Sequence, residues 1–235
     1  MKNLIILGFL VLCLVIAQFA QGQTVDEVIN RHIEALGGKE KINAIQNRLM
    51  EGTLNYQGND IALSFTQVHN KLNRQDINVG SMAGFNLLAD KDGWDYMPFF
   101  GQQKPEPRPA EEVKLNQADL DLAGPLVDYV AKGHKTELVG KETIDGKNTY
   151  HIKLTTANGK VIQFYLDATT YLITRAVEKK KMNGQEVDSQ VDYADYKDVE
   201  GVKMPFSMTN AYGTIYISGI KVNQAIPESA FKHDM

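Results

Sequence analysis

Catalysis by this chain would have to come from five histidines, one cysteine and 29 acidic side chains. His32, His69, His134, His151 and His233 are dispersed, and none stands at a metal-ligand interval from another histidine, a cysteine or a carboxylate. Gly80-Ser81-Met82-Ala83-Gly84 sets its serine one position away from a nucleophile elbow. Gly37-Gly38-Lys39 lacks the upstream glycine and the Ser or Thr of a phosphate loop. Both read as turns. Asp188 and Asp192 share a strand face and form a carboxylate pair only on paper, because Glu186 and Gln190 flank them as on a solvent-facing edge. Lys179-Lys180-Lys181 beside Asn183-Gly184 reads as a hairpin tip, and His151 as a residue on a solvated strand face. No convergent set of titratable groups can be named, so neither an enzyme nor a cofactor or metal is expected.

The elements that position these residues begin after a leader. Sixteen of the first 22 residues are apolar, Lys2 is the only charge among them, and Ala20-Gln21-Gly22 places small residues before a cut at Gln23. That is the layout of a secretory signal peptide, which predicts an exported protein spanning residues 23–235 as a single domain. The only cysteine, Cys13, lies inside this leader. The remaining chain carries 24 basic and 29 acidic residues, which argues against nucleic-acid binding through clustered cations.

Thr24-Val25-Asp26-Glu27 has the spacing of a capping box, and Val25, Val28, Ile29, Ile33 and Leu36 follow with helical periodicity up to Gly37-Gly38. A second short helix is expected over 39–47. From Leu49 the period changes to two. Short β-branched and aromatic runs alternate with turn signals at Gln57-Gly58-Asn59-Asp60, Asp90-Lys91-Asp92-Gly93, Asp145-Gly146, Asn158-Gly159 and Asn183-Gly184. This predicts an antiparallel meander of about eleven strands. Tyr150, Ile152 and Leu154 should face one way and His151, Lys153 and Thr155 the other, while Val187, Val191 and Tyr193 oppose Glu186, Asp188, Gln190 and Asp192. Pro105, Pro107 and Pro109 interrupt the meander, and two short helices are expected between them and Gly133, after about five strands and before six or seven.

Trp94-Asp95-Tyr96-Met97-Pro98-Phe99-Phe100 breaks strict alternation and suggests an aromatic cluster that is either core or pocket lining. A sheet of many strands covered by few helices encloses packed side chains or a cavity.

In order along the chain stand Glu34-Ala35-Leu36-Gly37-Gly38-Lys39-Glu40-Lys41, Asn70-Lys71-Leu72-Asn73-Arg74 preceded by His69, Asp92-Gly93-Trp94 with Pro98, Gly140 with Asp145-Gly146 and Tyr150, Tyr165-Leu166-Asp167 with Thr170, and Tyr196-Lys197-Asp198-Val199-Glu200-Gly201-Val202-Lys203-Met204-Pro205. Together these segments resemble the outer-membrane lipoprotein-sorting (LolA-like and LolB-like) proteins of the periplasm, which have proline in place of His69. The resemblance implies a mainly β (α+β) fold: a half-open antiparallel β-barrel with helices over its concave face and a hydrophobic cavity between. It also implies a monomeric periplasmic carrier or chaperone that shelters the acyl chains of lipoproteins or other lipids, loaded and unloaded by membrane proteins. A peptide- or protein-binding sensory module on the same concave sheet is the alternative. The lining would be drawn from Leu54, Tyr56, Phe65, Phe85, Leu87, Trp94, Tyr96, Phe99, Tyr150, Ile152, Phe164 and Tyr193. In the family an arginine on an early strand bonds to the lid helices; Arg74 is the position expected to do so. Met97, Met204 and Met208 would make the cavity adaptable.

Overall fold

A computed structural model describes residues 23–182 and 185–233; the leader and the Asn183-Gly184 turn lie outside them. Both arms of the capping box form. The Thr24 hydroxyl accepts from the Glu27 amide, and the Glu27 carboxylate accepts from the Thr24 amide. They start helix α1 (Val25–Leu36), which ends at Gly37 with φ 121°. A Cβ at Gly37 would lie 2.1 Å from the Gly201 carbonyl oxygen, so glycine here lets the helix end touch the sheet backbone. Helix α2 (Lys39–Asn43) is shorter than expected. Asn47, the expected last helical residue, instead opens a strand that pairs on both sides, and those ladders take the backbone groups a longer helix would have used.

Among the described residues thirteen strands form one antiparallel sheet. Six precede the proline-rich crossover: β1 (Asn47–Tyr56), β2 (Asn59–Val68), β3 (Leu72–Val79), β4 (Met82–Ala89), β5 (Gly93–Tyr96) and the two-residue β6 (Glu106–Pro107). Seven follow it: β7 (Lys135–Ile144), β8 (Lys147–Thr155), β9 (Val161–Asp167), β10 (Ile173–Met182), β11 (Gln185–Val199), β12 (Val202–Asn210) and β13 (Gly213–Val222). The order is β6-β5-β4-β3-β2-β1-β13-β12-β11-β10-β9-β8-β7. Two meanders therefore meet at a β1–β13 seam, and β6 and β7 are open edges. The expected count of about eleven falls two short. Part of the difference is β6, whose two residues between prolines carry no readable alternation. Gln57-Gly58 and Asp145-Gly146 adopt positive φ at both positions (52° and 80°; 50° and 78°), as tight hairpins require.

In the crossover only the first of the two expected helices forms. Helix α3 (Ala110–Leu115) and a 3-10 turn (Gln117–Leu120) are followed by non-helical turns through Gly133, where Gly124 and Asp128 have positive φ. The crossover shows that the sheet curls. Leu120 accepts a bond from the Asn70 amide at the start of β3, while the adjacent Asp119 binds Lys160 at the start of β9. On a flat sheet those strands, seven spacings apart, would be separated by roughly 34 Å.

The face that meets α1 and the crossover is here called inner. On it Val28 and Ile29 of α1 and Leu126 pack against Tyr150, Ile152, Leu154, Ile162, Phe164 and Leu166 of β8 and β9. Tyr150, Ile152 and Leu154 thus share a face, as the alternation predicts. His151 lies on the other side but is not solvated. It is buried between Glu142, Gln163 and the stacked ring of Tyr165, partners that β7 and β9 bring from outside its own strand.

Candidate ligand cavity

A second inner-face cluster sits beside the first. Ile42 of α2, Ile45 and Val127 of the crossover pack on Val202, Met204 and Val222 of β12 and β13. Between the clusters the cover fails to meet the sheet, leaving a cavity of about 170 Å³. Its wall is mainly apolar: Leu36, Ile42 and Ile45 from the helical layer, Leu122 to Val127 from the crossover, and Phe164, Ile173, Val202, Met204 and Pro205 from the sheet. It reaches the surface at the exposed Lys203.

The ionisable groups in this wall are basic or phenolic: His32, Arg48, Tyr196 and Lys203. His32 donates from Nδ1 to the Tyr171 carbonyl (2.8 Å), and burial holds its pKa below the ordinary imidazole value. The Tyr196 hydroxyl donates to the Ile173 carbonyl (2.8 Å), and burial pushes its pKa up. Arg48 occupies the inner register of β1, in line with Gln67 of β2 and Asn73 of β3. Its Nε and Nη2 both donate to Gln67 Oε1 (2.8 and 2.6 Å), and Gln67 Nε2 donates to Asn73 Oδ1 (3.2 Å). Among the described residues no carboxylate pairs with this guanidinium. Surrounded by protein yet facing the cavity, its pKa is pushed down to about 10 by burial.

A separate ionic cluster around buried Lys160 straps the crossover to β9 and β10. Lys160, 7 % exposed, bonds Asp119 (2.8 Å), Asn116 (3.1 Å) and Glu178 (2.6 Å). Burial pulls the ammonium pKa down, but Asp119 and Glu178 together outweigh it and raise the value. Glu178 shifts the opposite way, as burial is outweighed by Lys160 and Lys180.

The twelve residues expected to line a cavity are distributed over both faces. Phe164 is in the wall described above. Tyr150 and Ile152 are packed beneath α1. Leu54 and Phe65 join Met50, Leu63, Ile215 and Ile217 in a cluster farther along the inner face. Tyr193, in register with Met208 and Ile215, has its phenol pushed up to about 12 by burial. Phe99 lies where a Cβ on Gly84 would come within 2.9 Å of it, and Tyr56 is 39 % exposed. Phe85, Leu87, Trp94 and Tyr96 lie on the opposite, outer face, where they pack with Leu72, Ile226 and Ala230. Trp94 stacks on His233 at 3.9 Å. Arg74 is on this outer face too. It bonds Asp76 (2.8 Å), donates to the Lys232 carbonyl (2.6 Å) and lies over the Phe85 ring (4.5 Å). It holds the C-terminal segment, reaching also the Ala230 carbonyl (3.5 Å) in a 3-10 turn (Glu228–Phe231), and none of its bonds goes to α1, α2 or α3.

Arg48 is the residue that reading the sequence overlooked. The available signal was parity: a lone cation at the same strand phase as Met50, Gly52 and Leu54. Among the described residues no group of three His, Cys, Asp or Glu side chains could hold a metal, and no helix is long and apolar enough to cross a membrane.

Solved structures share this architecture. A LolA superfamily protein from Nitrosomonas europaea superposes with a TM-score of 0.53 at 14 % identity, covering 90 % of this chain and 98 % of its own. A DUF1329 family protein from Desulfovibrio piger does so with 0.56 at 16 %, covering 90 % and 98 %. A domain assigned to outer-membrane lipoprotein sorting, from Vibrio parahaemolyticus, gives 0.52 at 12 %, covering 86 % and 95 %. No protein-family profile matches the chain, and no curated protein does. At these identities the likeness is one of fold, and the fold is LolA-like.

Proposed function

With a LolA-like fold as the premise, we propose that this protein is a non-enzymatic, exported lipid or lipoprotein carrier of the periplasm, which shelters acyl chains between its curled sheet and the layer formed by α1, α2 and the crossover. The observation that carries this reading is the apolar cavity at the junction of the two inner-face clusters. Sheltering an acyl chain of about sixteen carbons is worth on the order of 12 kcal/mol gross, at roughly 0.8 kcal/mol per methylene, before ordering costs. The cavity is smaller than the roughly 300–1,000 Å³ typical of ligand pockets, so loading requires the cover to move. Its parts are suited to that. Residues 121–133 lack regular helix, and α1 ends at the Gly37–Gly201 backbone contact, a compact pivot. Met204 in the wall supplies a soft, adaptable surface.

The test is native mass spectrometry of the chain purified from an exporting host, before and after solvent extraction. Lipid at a defined stoichiometry, and uptake of a fluorescent fatty acid after extraction, are the expected results. Val127→Trp, which fills the cavity, should abolish uptake while the fold persists. An empty protein that also refuses the fatty acid would overturn the reading and favour a peptide- or protein-binding module on the same sheet.

A further inference from the structure

Resting on the carrier reading and sharpening it, we propose that Arg48 receives the head of the ligand, which is then an amphiphile with a compact anionic head. Three observations on the cavity converge. Its wall contains no Asp or Glu, and its cation at neutral pH is Arg48, with Lys203 exposed at its mouth, so it offers a charged ligand only attraction for an anion. Arg48 has a neutral acceptor, Gln67, where a buried guanidinium ordinarily has a carboxylate. Gln67 is itself fixed by Asn73, so the Arg48 fork is oriented before any ligand arrives.

The surroundings leave the positive charge uncompensated. Glu178 and Asp119, the two carboxylates whose fields reach neighbouring Tyr193, are both bound to Lys160. Tyr193 stays protonated, because burial raises its pKa. The guanidinium keeps its proton at neutral pH despite its burial. A buried cation without an anion is unfavourable until one arrives, and a carboxylate or phosphate can accept paired bonds from a planar guanidinium. The tail of the same ligand would then run along Ile45, Val127 and Phe164.

Calorimetric titration of the delipidated full chain with submicellar laurate, dodecyl phosphate, dodecanol and dodecyltrimethylammonium tests this. The expected order is anions at least ten-fold tighter than dodecanol, and the cation weakest. The stronger of the two anions identifies the head as carboxylate or phosphate. In Arg48→Gln the anion advantage should vanish while dodecanol binding changes less than two-fold, and Arg48→Lys should recover part of the advantage. Equal affinity for laurate and dodecanol in the unmodified protein overturns the inference and leaves the carrier reading intact. Survival of the anion preference in Arg48→Gln overturns it equally. If that variant does not fold, the head-group series on the unmodified protein and on Arg48→Lys decides. Failure of all four amphiphiles to bind overturns the carrier reading itself.

Discussion

The two meanders present different inner faces to the same cover. Across β8 and β9 the inner face is dry and apolar: Ile152, Leu154 and Leu166 are fully buried beneath α1 and Leu126. Across β1–β5 the corresponding registers hold Arg48, Gln67 and Asn73 in one row and Gln75 and Asn86 in the next. On β3–β5 the apolar residues gather chiefly on the outer face, under the C-terminal segment, while Met50, Leu54, Leu63 and Phe65 form an apolar patch farther along the inner face of β1 and β2. One half of the sheet is thus a core that holds the fold together, and the other carries polar rows beside a smaller apolar patch. The cavity lies over β9 to β12, and Arg48 of β1 reaches it from across the seam.

The contrast can be broken by measurement. The largest effect should come from the dry half. Leu154→Ala should cost about 3–4 kcal/mol in urea unfolding, as a fully buried side chain leaves a cavity. A loss under 1 kcal/mol would remove the distinction between the halves. Next in size is Lys160→Met, which leaves half-buried Glu178 without its main partner, removes the crossover's hold through Asp119, and should cost about 2–3 kcal/mol. The loss should shrink as the pH falls and the two carboxylates become protonated. A constant penalty from pH 7 to pH 3 would show that the strap is not electrostatic. A smaller effect belongs to His32. Its folded pKa is depressed, so the unfolded chain binds the extra proton, and stability should fall as the pH drops below about 6.5 towards the folded value. The slope should be at most about 1.4 kcal/mol per pH unit and should disappear in His32→Gln. Smallest of all, Gln75→Ala on the polar wall should change stability by no more than about 0.5 kcal/mol. Trp94→Ala on the outer face should loosen the C-terminal segment, read by hydrogen exchange at residues 226–233, without changing fatty-acid uptake.

Much of this architecture was written locally. The capping box at Thr24, the paired positive-φ turns and the alternation at 150–155 all depend on neighbours a few residues away, and each appears where the sequence puts it. The candidate site was less legible, because it depends on partners far along the chain. In Phe85-Asn86-Leu87-Leu88 apolar residues point both ways, and only the pairing of β4 with β3 and β5 assigns Leu87 to the outer face and Leu88 to the inner. The outer cluster is apolar because residues 130 or more positions away, Ile226 and Ala230, cover it. Arg74 was a cation of the same kind as Arg48, at the opposite phase.

The sheet's two ends have a consequence of their own. An unclosed sheet presents free backbone donors and acceptors at both edges, an invitation to pair with another chain. Here β6 is two residues long and includes Pro107, which has no amide to offer, while β7 shifts register between Leu138 and Gly140 and carries Lys135, Glu137, Lys141 and Glu142 along its length. Edges blunted in this way disfavour pairing with another chain. The radius of a closed barrel is set by its strand number and shear. An open one can widen or tighten, so the size of what this protein encloses is set by how far its two ends stand apart.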